Sequence, residues 1–364
     1  MEIGIVGLPN VGKSTLFNAL AKAQAPASNY PFCTIEPNLA TVEVPDGRLD
    51  ELAAIVHPKK TSHPLLKFVD IAGLARGAHK GEGLGNLFLS HIRNVDAIVH
   101  TVRCFEDSSV IHVEGEVDPR RDVEIIESEL FLSDLEIVER RLAKIANIAK
   151  SGDEHARKEN AFLVPLKEML NQGKRFEDPE SLDHEVEGFF RDLKLLSSKP
   201  VLFCANVDED LGSDRSRRLV DAVRNLAEER HSGMVPICAR LEAEIGELPS
   251  EEGKALLKEI GFEESAISRF VRACYDLLQV VTFFTIKGDE TRGWTVRRGT
   301  GAREAAGKIH TDMYDKFVCA DVISLDEFKA AGGMAHAREK GLVRTEGKTY
   351  KVQDGDILQI KFGK

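Results

Sequence analysis

Residues 1–15 read MEIGIVGLPNVGKST, and this stretch decides the fold of the chain. Residues 3–6 form a short apolar run, and residues 7–14 match the pattern GxxxxGK(S/T) over its full length. The pattern predicts a loop between a buried strand and a helix, whose backbone N–H groups turn inward around phosphate oxygens. The lysine of such a loop meets the β- and γ-phosphates, and the next hydroxyl ligates Mg²⁺. The candidate nucleotide-binding residues here are Gly7, Asn10, Val11, Gly12, Lys13, Ser14 and Thr15.

The rest of the chain contains further strand-like runs, and they predict the fold class. These apolar runs lie at residues 65–69, 97–102, 201–205 and 235–237. Helical sequence separates them, which is typical of parallel strands covered on both faces. We therefore expect an α/β fold with a doubly wound nucleotide-binding domain built from residues 1–121 and 199–280.

Residues 122–198 interrupt this alternation with charged, helical sequence. A heptad-like stripe with steps of four and three consists of Phe131, Leu135, Val138, Leu142, Ile145 and Ala149. The pattern resumes after a turn near residues 151–153. We expect an antiparallel, coiled-coil-like helical hairpin inserted into the nucleotide-binding domain. Two ordinary surface helices packed on the sheet remain the alternative.

Residues 281–364 differ in composition from the preceding sequence and are rich in β-forming residues. Strand-like runs lie at residues 281–286, 294–296, 349–352 and 357–362. One helical stretch, about residues 302–309, lies among them. Strands around a single helix predict a small α+β domain of the β-grasp type.

Composition and charge exclude several classes of protein. The net charge is −11, which argues against a protein whose whole surface coats a nucleic acid, and DNA is not expected as a partner. The six cysteines form no CxxC pair, so a zinc site and a disulfide framework are not expected. No apolar run reaches the roughly 18 residues of a membrane span, and the N-terminus has no signal-peptide pattern. We expect a cytoplasmic protein without a membrane partner.

A second motif, Asp70-Ile-Ala-Gly73, follows the apolar run at residues 65–69. An aspartate at this place in a P-loop protein holds magnesium, and the glycine N–H approaches the γ-phosphate. The pairing with the phosphate-binding loop favours these roles over an ordinary turn. Thr34 falls between the two motifs, where its hydroxyl can complete the magnesium shell, although spacing alone leaves this open.

Together these residues resemble the translation-factor-class (TRAFAC) GTPases, and more narrowly the Obg-like ATPase family of the YchF type. The matching stretches are GLPNVGKST at residues 7–15, NYPFCTIEPN at 29–38, DIAG at 70–73, KGEGLGN at 80–86 and AGKIHTD at 306–312. The resemblance spans essentially the whole chain. It implies a G domain, an inserted coiled coil at residues 122–198, and a C-terminal TGS domain at residues 281–364.

The resemblance also carries expectations about activity. It implies a slow, Mg²⁺-dependent ATPase that acts as a switch with the ribosome or ribosomal RNA as partner, and it favours Thr34 as a magnesium ligand. A second class of function remains open, that of a binding module. In such a module nucleotide only sets the affinity for a ribosomal or RNA partner, and hydrolysis is incidental.

The base-recognition loop departs from the guanine-specific pattern Asn-Lys-x-Asp. The corresponding residues are Asn206, Val207, Asp208 and Glu209. A glutamate is one methylene longer than the aspartate that accepts two hydrogen bonds from guanine, so the loop fits guanine poorly. Our hypothesis is that Asn206, Val207 and Glu209 contact the base and that ATP is preferred over GTP.

The group that positions the attacking water is less clear from the sequence. Leu74 stands where many GTPases carry a glutamine. His79 and His112 are substitutes, and the resemblance favours His112. The other candidate catalytic residue is Lys13 of the phosphate-binding loop. Asn10 has two interpretations: it helps to hold a potassium ion, or it shapes the loop through a hydrogen bond.

Overall fold

The computed structural model describes residues 1–23, 38–71, 73, 77, 84–176, 181–210, 213–259, 262 and 264–363, except the side chains of residues 84–88, 250 and 254. The described chain forms two compact units. The first unit contains residues 1–22, 38–40 and the described part of 68–267. The second contains residue 23 and residues 41–67 and 268–363.

The strands are β1 (Glu2–Val6), β2 (Leu39–Glu43), β3 (Lys60–Ser62), β4 (Leu65–Asp70), β5 (Ala97–Cys104), β6 (Val201–Val207), β7 (Gly233–Ile237), β8 (Val280–Lys287), β9 (Glu290–Arg297), β10 (Phe317–Ser324), β11 (Arg344–Glu346) and β12 (Asp356–Phe362). The helices are α1 (Lys13–Lys22), α2 (Gly47–Val56), α3 (Leu84–Asn94), α4 (Pro119–Lys150), α5 (Glu154–Asn171), α6 (His184–Leu193), α7 (Asp214–Glu229), α8 (Ala239–Ile245), α9 (Ser250–Glu259), α10 (Ala266–Leu277), α11 (Ala302–Ile309), α12 (Thr311–Asp315), α13 (Leu325–Ala331) and α14 (Met334–Glu339).

One sheet has the order β2-β4-β1-β5-β6-β7, and β1, β5, β6 and β7 run parallel. Every residue of β5 and β6 is buried, as expected of central strands covered by helices on both faces. The chain adds β4 on one side of β1 and β5 on the other, so the order reverses at β1. This confirms the predicted doubly wound sheet, and it places the loop after β1 at the reversal point, where such sheets bind ligands.

The predicted helical hairpin is also present. Helix α4 has 32 residues, and the Asp118 carboxylate caps its start by accepting a hydrogen bond from the Arg121 N–H at 3.2 Å. The first turns of α4 bury apolar residues in the core of the doubly wound sheet. Further along, Val138 and Ile145 pack with Leu163 of α5. The turn at residues 151–153 returns the chain, so the predicted stripe is the seam of the hairpin.

The second unit contains a sheet with the order β11-β10-β12-β8-β9-β3. The hairpin β8–β9 is antiparallel, β12 runs parallel to β8, and β10 is antiparallel to both β12 and β11. With α11 packed on one face, this is the expected β-grasp arrangement. The strand predicted at residues 349–352 is wrong, because only Lys351 there makes a bridge, to Gly301. Strands β10 and β11 and the short helices α12 to α14 were not predicted.

Residues 41–67 pack in this second unit, although the sequence patterns assigned them to the nucleotide-binding domain. Strand β3 pairs in parallel with β9. Leu49 and Leu52 of α2 are fully buried in one cluster with Phe284 and Phe328. The Arg48 guanidinium also donates to the Asp354 carboxylate at 2.7 Å. The boundaries predicted for the three domains stay a prediction.

Two further features concern the described residues alone. None of the described helices has both the length and the apolar character needed to cross a membrane. Within the same part of the chain, the cysteines Cys104, Cys204, Cys238, Cys274 and Cys319 are free thiols.

Candidate nucleotide-binding site

The predicted site residues gather at one edge of the doubly wound sheet. Strands β1, β5, β6 and β7 are parallel, so their carboxyl ends meet at this edge. The loop at residues 7–12 follows β1, and Asn206 lies at the end of β6. Asp70 ends β4, and the N–H of the next residue, Ile71, donates to the Ile5 carbonyl of β1 at 3.3 Å. The sheet therefore brings the two predicted motifs together.

Two glycines fix the path of the phosphate-binding loop. A Cβ added at Gly7 would lie 2.5 Å from the Thr101 carbonyl oxygen of β5. Gly12 has φ +93°, and a Cβ there would run into the amide of Asn206. Only glycine fits either position, because larger residues would push the loop off the sheet. Helix α1 begins directly after Gly12, so its free N–H groups point toward the loop.

The Lys13 side chain is held inside this loop. Its ammonium donates to the Leu8 carbonyl at 2.7 Å, and the residue is only 7% exposed. Burial lowers the pKa of Lys13 from 10.5 to about 8, and the nearby Asp70 carboxylate opposes that shift. A Cβ added at Gly73 would lie 3.2 Å from the same ammonium. Lys13, Asp70 and Gly73 are thus neighbours, as both motifs predicted.

The residues at this point fit a divalent cation. Asp70 is half-buried, and burial raises the pKa of its carboxyl, with Lys13 acting in the opposite direction. A cation placed nearby would stabilise the ionised carboxylate. Ser14 is exposed at the first turn of α1 and offers a hydroxyl. Oxygen donors of this kind suit Mg²⁺. Thr34, the third predicted ligand, lies outside the described residues.

Asn206 has a structural role that the sequence did not reveal. Its side-chain amide donates to the Val11 carbonyl at 2.9 Å and accepts from the Ala239 N–H at 3.1 Å. The residue is 5% exposed. It therefore joins the phosphate-binding loop to the start of α8, and its contact with a base stays a prediction. The match to Asn-Lys-x-Asp pointed to Asn206 as a site residue. The sequence did not show that its side chain bonds to two backbone groups.

The other two predicted base contacts lie in different surroundings. Val207 is 4% exposed and belongs to the core of the sheet. Glu209 is exposed, and its carboxylate oxygen Oε1 accepts from Arg240 Nη2 at 2.7 Å and from Arg240 Nε at 2.9 Å. Arg240 was not predicted as a site residue. It follows Ala239, which Asn206 fixes, so one contact chain links the loop after β6 to the start of α8.

Asn10 of the loop contacts the residue that precedes His112. Asn10 has φ +64°, and its side-chain amide donates to the Ile111 carbonyl at 3.1 Å. The next residue, His112, is buried, with its Nε2 2.8 Å from Asp122 Oδ2. Thr15 is half-buried in α1. The alternative water-positioning histidine, His79, falls outside the described residues.

Comparisons with known proteins agree with this architecture. The Ribosome-binding ATPase YchF of Bacillus subtilis (strain 168) is 47% identical over 363 residues, covering 100% of this chain and 99% of that protein. The Obg-like ATPase 1 of Oryza sativa subsp. japonica is 41% identical over 367 residues, covering 100% and 92%. A solved structure of the Schizosaccharomyces pombe YchF GTPase has a TM-score of 0.86 and 35% identity, covering 99% of this chain and 97% of that one.

Two family models match parts of the chain. The model described as a 50S ribosome-binding GTPase matches residues 2–138. The YchF GTPase C-terminal model, described as a protein of unknown function, matches residues 280–363. The resemblance is confirmed by relatives that are 41% and 47% identical over nearly the full length and by a solved YchF structure at 35% identity: the chain belongs to the YchF family of Obg-like ATPases.

Proposed function

We propose that this chain hydrolyses ATP in a Mg²⁺-dependent reaction and acts as a molecular switch on the ribosome. The observation that carries the proposal is the buried Lys13 ammonium inside the loop at residues 7–15. Its lowered pKa means that the Leu8 carbonyl and the Asp70 carboxylate compensate the charged form only in part. Phosphate oxygens would supply the rest of that compensation through charge-assisted hydrogen bonds, with the α1 N-terminus adding backbone donors.

Ser14, Asp70 and Thr34 are the proposed magnesium ligands, with Asp70 acting through water. Magnesium, when bound, neutralises charge that develops between the β- and γ-phosphates. The chain itself contributes the hydroxyl of Ser14 at the first turn of α1 and the carboxylate of Asp70 at the end of β4. The Gly73 N–H is the proposed sensor of the γ-phosphate, since a Cβ added at Gly73 would lie 3.2 Å from the Lys13 ammonium.

Adenine is the proposed base. The Arg240 guanidinium holds Glu209 Oε1, so the carboxylate has one oxygen left rather than the pair that guanine requires. That oxygen can accept from the adenine amino group. The competing proposal is a GTP-specific enzyme, since the relatives carry both ATPase and GTPase in their names. Titration of ATP and GTP decides between them, and a clear GTP preference contradicts adenine specificity.

His112 is the proposed water-positioning group. An imidazole can orient a water where Leu74 cannot. Replacing His112 with alanine should slow hydrolysis and leave ATP affinity intact, and unchanged turnover would refute the role. For Asn10, the hydrogen bond to Ile111 supports loop shaping. The potassium role is tested by turnover in KCl and in NaCl, because equal rates exclude it.

The ribosome is the proposed partner, and the cytoplasm the proposed location, since relatives named Ribosome-binding ATPase align over the whole chain. The decisive experiment measures phosphate release from ATP with and without ribosomes, using Lys13→Ala as the inactive control. Stimulation by ribosomes supports the switch. Absence of ribosome binding in every nucleotide state contradicts it.

A second candidate function is a nucleotide-gated binding module. The burial of His112 against Asp122 favours this module. While the imidazole is held by Asp122, the isolated chain lacks a histidine that could position the attacking water. Nucleotide-dependent co-sedimentation with ribosomes, without any stimulation of turnover, would support the module over the switch.

A further inference from the structure

We propose that Asp122 is a positioning residue that stores His112 in an inactive orientation, and that hydrolysis requires this pair to separate. The proposal rests on the proposed role of His112 and adds the regulation of that residue. It concerns residues 111–122, all of which the structure describes.

Both nitrogens of the His112 ring are occupied by the protein. Nε2 lies 2.8 Å from Asp122 Oδ2, and Nδ1 accepts a hydrogen bond from the Glu114 N–H at 3.1 Å. Because a backbone N–H can only donate, Nδ1 must be the acceptor, and Nε2–H then donates to the carboxylate. The His112 side chain is 3% exposed and that of Asp122 is 4% exposed. In this orientation the ring has no nitrogen with which to bind a water.

This arrangement differs from a carboxylate that orients a catalytic histidine. In that case one ring nitrogen faces the carboxylate and the other faces the reacting group. Here the second nitrogen is engaged by Glu114, so the carboxylate holds the ring away from the reaction. We call this arrangement, in which protein groups engage both ring nitrogens of His112, the stored state.

Asp122 keeps a partner when the histidine leaves. Its other oxygen, Oδ1, accepts from Arg121 Nη2 at 3.0 Å and from Arg121 Nε at 3.3 Å. Separation of the pair therefore does not leave a buried carboxylate without compensation, which would be strongly unfavourable. Release of His112 therefore breaks two hydrogen bonds, the one between its Nε2 and Asp122 and the one that its Nδ1 accepts from the Glu114 N–H.

The residues on either side of His112 are apolar and exposed. Ile111 is 78% exposed and Val113 is 46% exposed, while His112 between them is buried. His112 opens a turn in which the Gly115 N–H donates to its carbonyl at 3.1 Å, so a reversal of this short segment would turn the imidazole outward. The Ile111 carbonyl also accepts from Asn10 of the phosphate-binding loop. A reversal of this segment would therefore change the hydrogen bond between Ile111 and Asn10 of the phosphate-binding loop.

The main test is the variant Asp122→Asn, which keeps the shape but replaces a charge-assisted hydrogen bond with a weaker neutral one. The released population of His112, and with it the unstimulated kcat for ATP, should rise about tenfold. The KM for ATP should not change, because Asp122 does not touch the nucleotide. The rise should vanish in the double variant with His112→Ala.

A second readout does not depend on activity. Diethyl pyrocarbonate modifies accessible imidazole nitrogens, and peptide mass mapping gives the rate at His112. We expect slow modification in the wild type and about tenfold faster modification in Asp122→Asn. Asp118→Ala is the matched control, since it removes the α4 cap from the same turn without touching His112. Asp118→Ala should change neither the unstimulated kcat for ATP nor the rate of modification at His112.

The outcomes separate this proposal from the one on which it rests. A fall in kcat in Asp122→Asn would show that the carboxylate orients an active histidine, and an unchanged kcat with unchanged modification would show that it stores nothing. Either overturns the proposal while ATP hydrolysis itself stands. If His112→Ala alone hydrolyses ATP as the wild type does, the role of His112 fails and the stored state fails with it.

Discussion

Replacing Lys13 with methionine removes the buried ammonium while keeping an unbranched side chain of similar length. The ammonium lies in the phosphate-binding loop, 7% exposed, and donates to the Leu8 carbonyl. The same change at Lys22 is a matched control. Lys22 ends the same helix, and its ammonium pairs with Glu247 at the surface.

The pKa of Lys13 gives the size of the effect on stability. A fall from 10.5 to about 8 means that the charged form destabilises the folded state by about 3 kcal/mol at neutral pH. Methionine relieves this, but the Leu8 carbonyl loses a charge-assisted hydrogen bond worth about 1.5–3 kcal/mol. The two changes nearly cancel. The free energy of unfolding without nucleotide should therefore change by no more than about 1.5 kcal/mol.

The pH dependence has a definite sign. The unfolded chain keeps the Lys13 proton up to its ordinary pKa of 10.5, whereas the folded chain loses it near 8. Between these values the unfolded state binds more protons, so the wild type gains stability as the pH rises. Below pH 8 the destabilisation is present in full. Lys13→Met should lack this rise, and Lys22→Met should keep it.

Nucleotide binding distinguishes the two variants most clearly. At a MgATP concentration about 100 times its Kd, the wild type should gain about 2.7 kcal/mol of stability. Loss of the ammonium should weaken binding at least about 100-fold, which leaves a gain of about 0.4 kcal/mol at the same concentration. Urea unfolding followed by circular dichroism, with and without MgATP, measures both quantities.

Two results would refute the reasoning. If Lys13→Met kept the full stabilisation by MgATP, the loop at residues 7–15 would not hold the triphosphate through this group. If the variant lost more than about 3 kcal/mol without nucleotide, the ammonium would be stabilising, contrary to its lowered pKa. Lys22→Met should stay within about 1 kcal/mol of the wild type throughout, as expected for a surface ion pair.

Three further predictions concern other parts of the molecule. Asn206→Ala loses two buried hydrogen bonds and should lower the free energy of unfolding by about 2–4 kcal/mol and weaken ATP binding, measured by urea unfolding and calorimetric titration. Leu49→Ala should destabilise the second unit by about 2–5 kcal/mol, seen in the fluorescence of Trp294, the single tryptophan, with ATP affinity unchanged. Glu209→Asp should lower the preference for ATP over GTP in competitive binding, and an unchanged preference would contradict our account of base selection.

Local patterns predicted the strand and the helix on either side of the glycine-rich loop. A strand, a glycine-shaped turn and a helix start are all specified within residues 1–15, so no distant contact is needed to recognise them. The hairpin of α4 and α5 was predictable for the same reason, since apolar spacing along one helix marks the face that packs. Helix α11 also begins and ends at the predicted residues, 302 and 309.

Pairings between distant segments were not predictable. Strand β3 has only three residues, Lys60–Ser62, and its partner β9 lies some 230 residues later. Nothing in so short a polar segment indicates which sheet it joins. The opposite error occurred at residues 349–352, where strand-forming residues make one bridge instead of a ladder. Propensity in strands depends on a partner that the local sequence does not contain.

The roles of the predicted site residues stay predictions, and the partners of these residues could not be read from the local sequence. The position of Asn206 after a buried strand is a local signal, whereas its bonds to Val11 and Ala239 depend on the folded sheet. The same is true of Glu209, whose partner Arg240 follows 31 residues later. The storage of His112 by Asp122 also could not be read from spacing, because a ten-residue loop closes in many ways.

The two ends of the proposed nucleotide site differ in how tightly the fold constrains them. At the phosphate end, Gly7 and Gly12 have no room for a side chain, so the loop has one geometry. At the base end, the Glu209 and Arg240 side chains are 47% and 61% exposed and can change without disturbing the core. Base preference can therefore vary among proteins that keep one phosphate-binding loop. It follows that changes at Glu209 or Arg240 should alter the ratio of ATP to GTP affinity while leaving tripolyphosphate affinity as it is. A loss of tripolyphosphate binding in those variants would show that the two ends are coupled through Asn206.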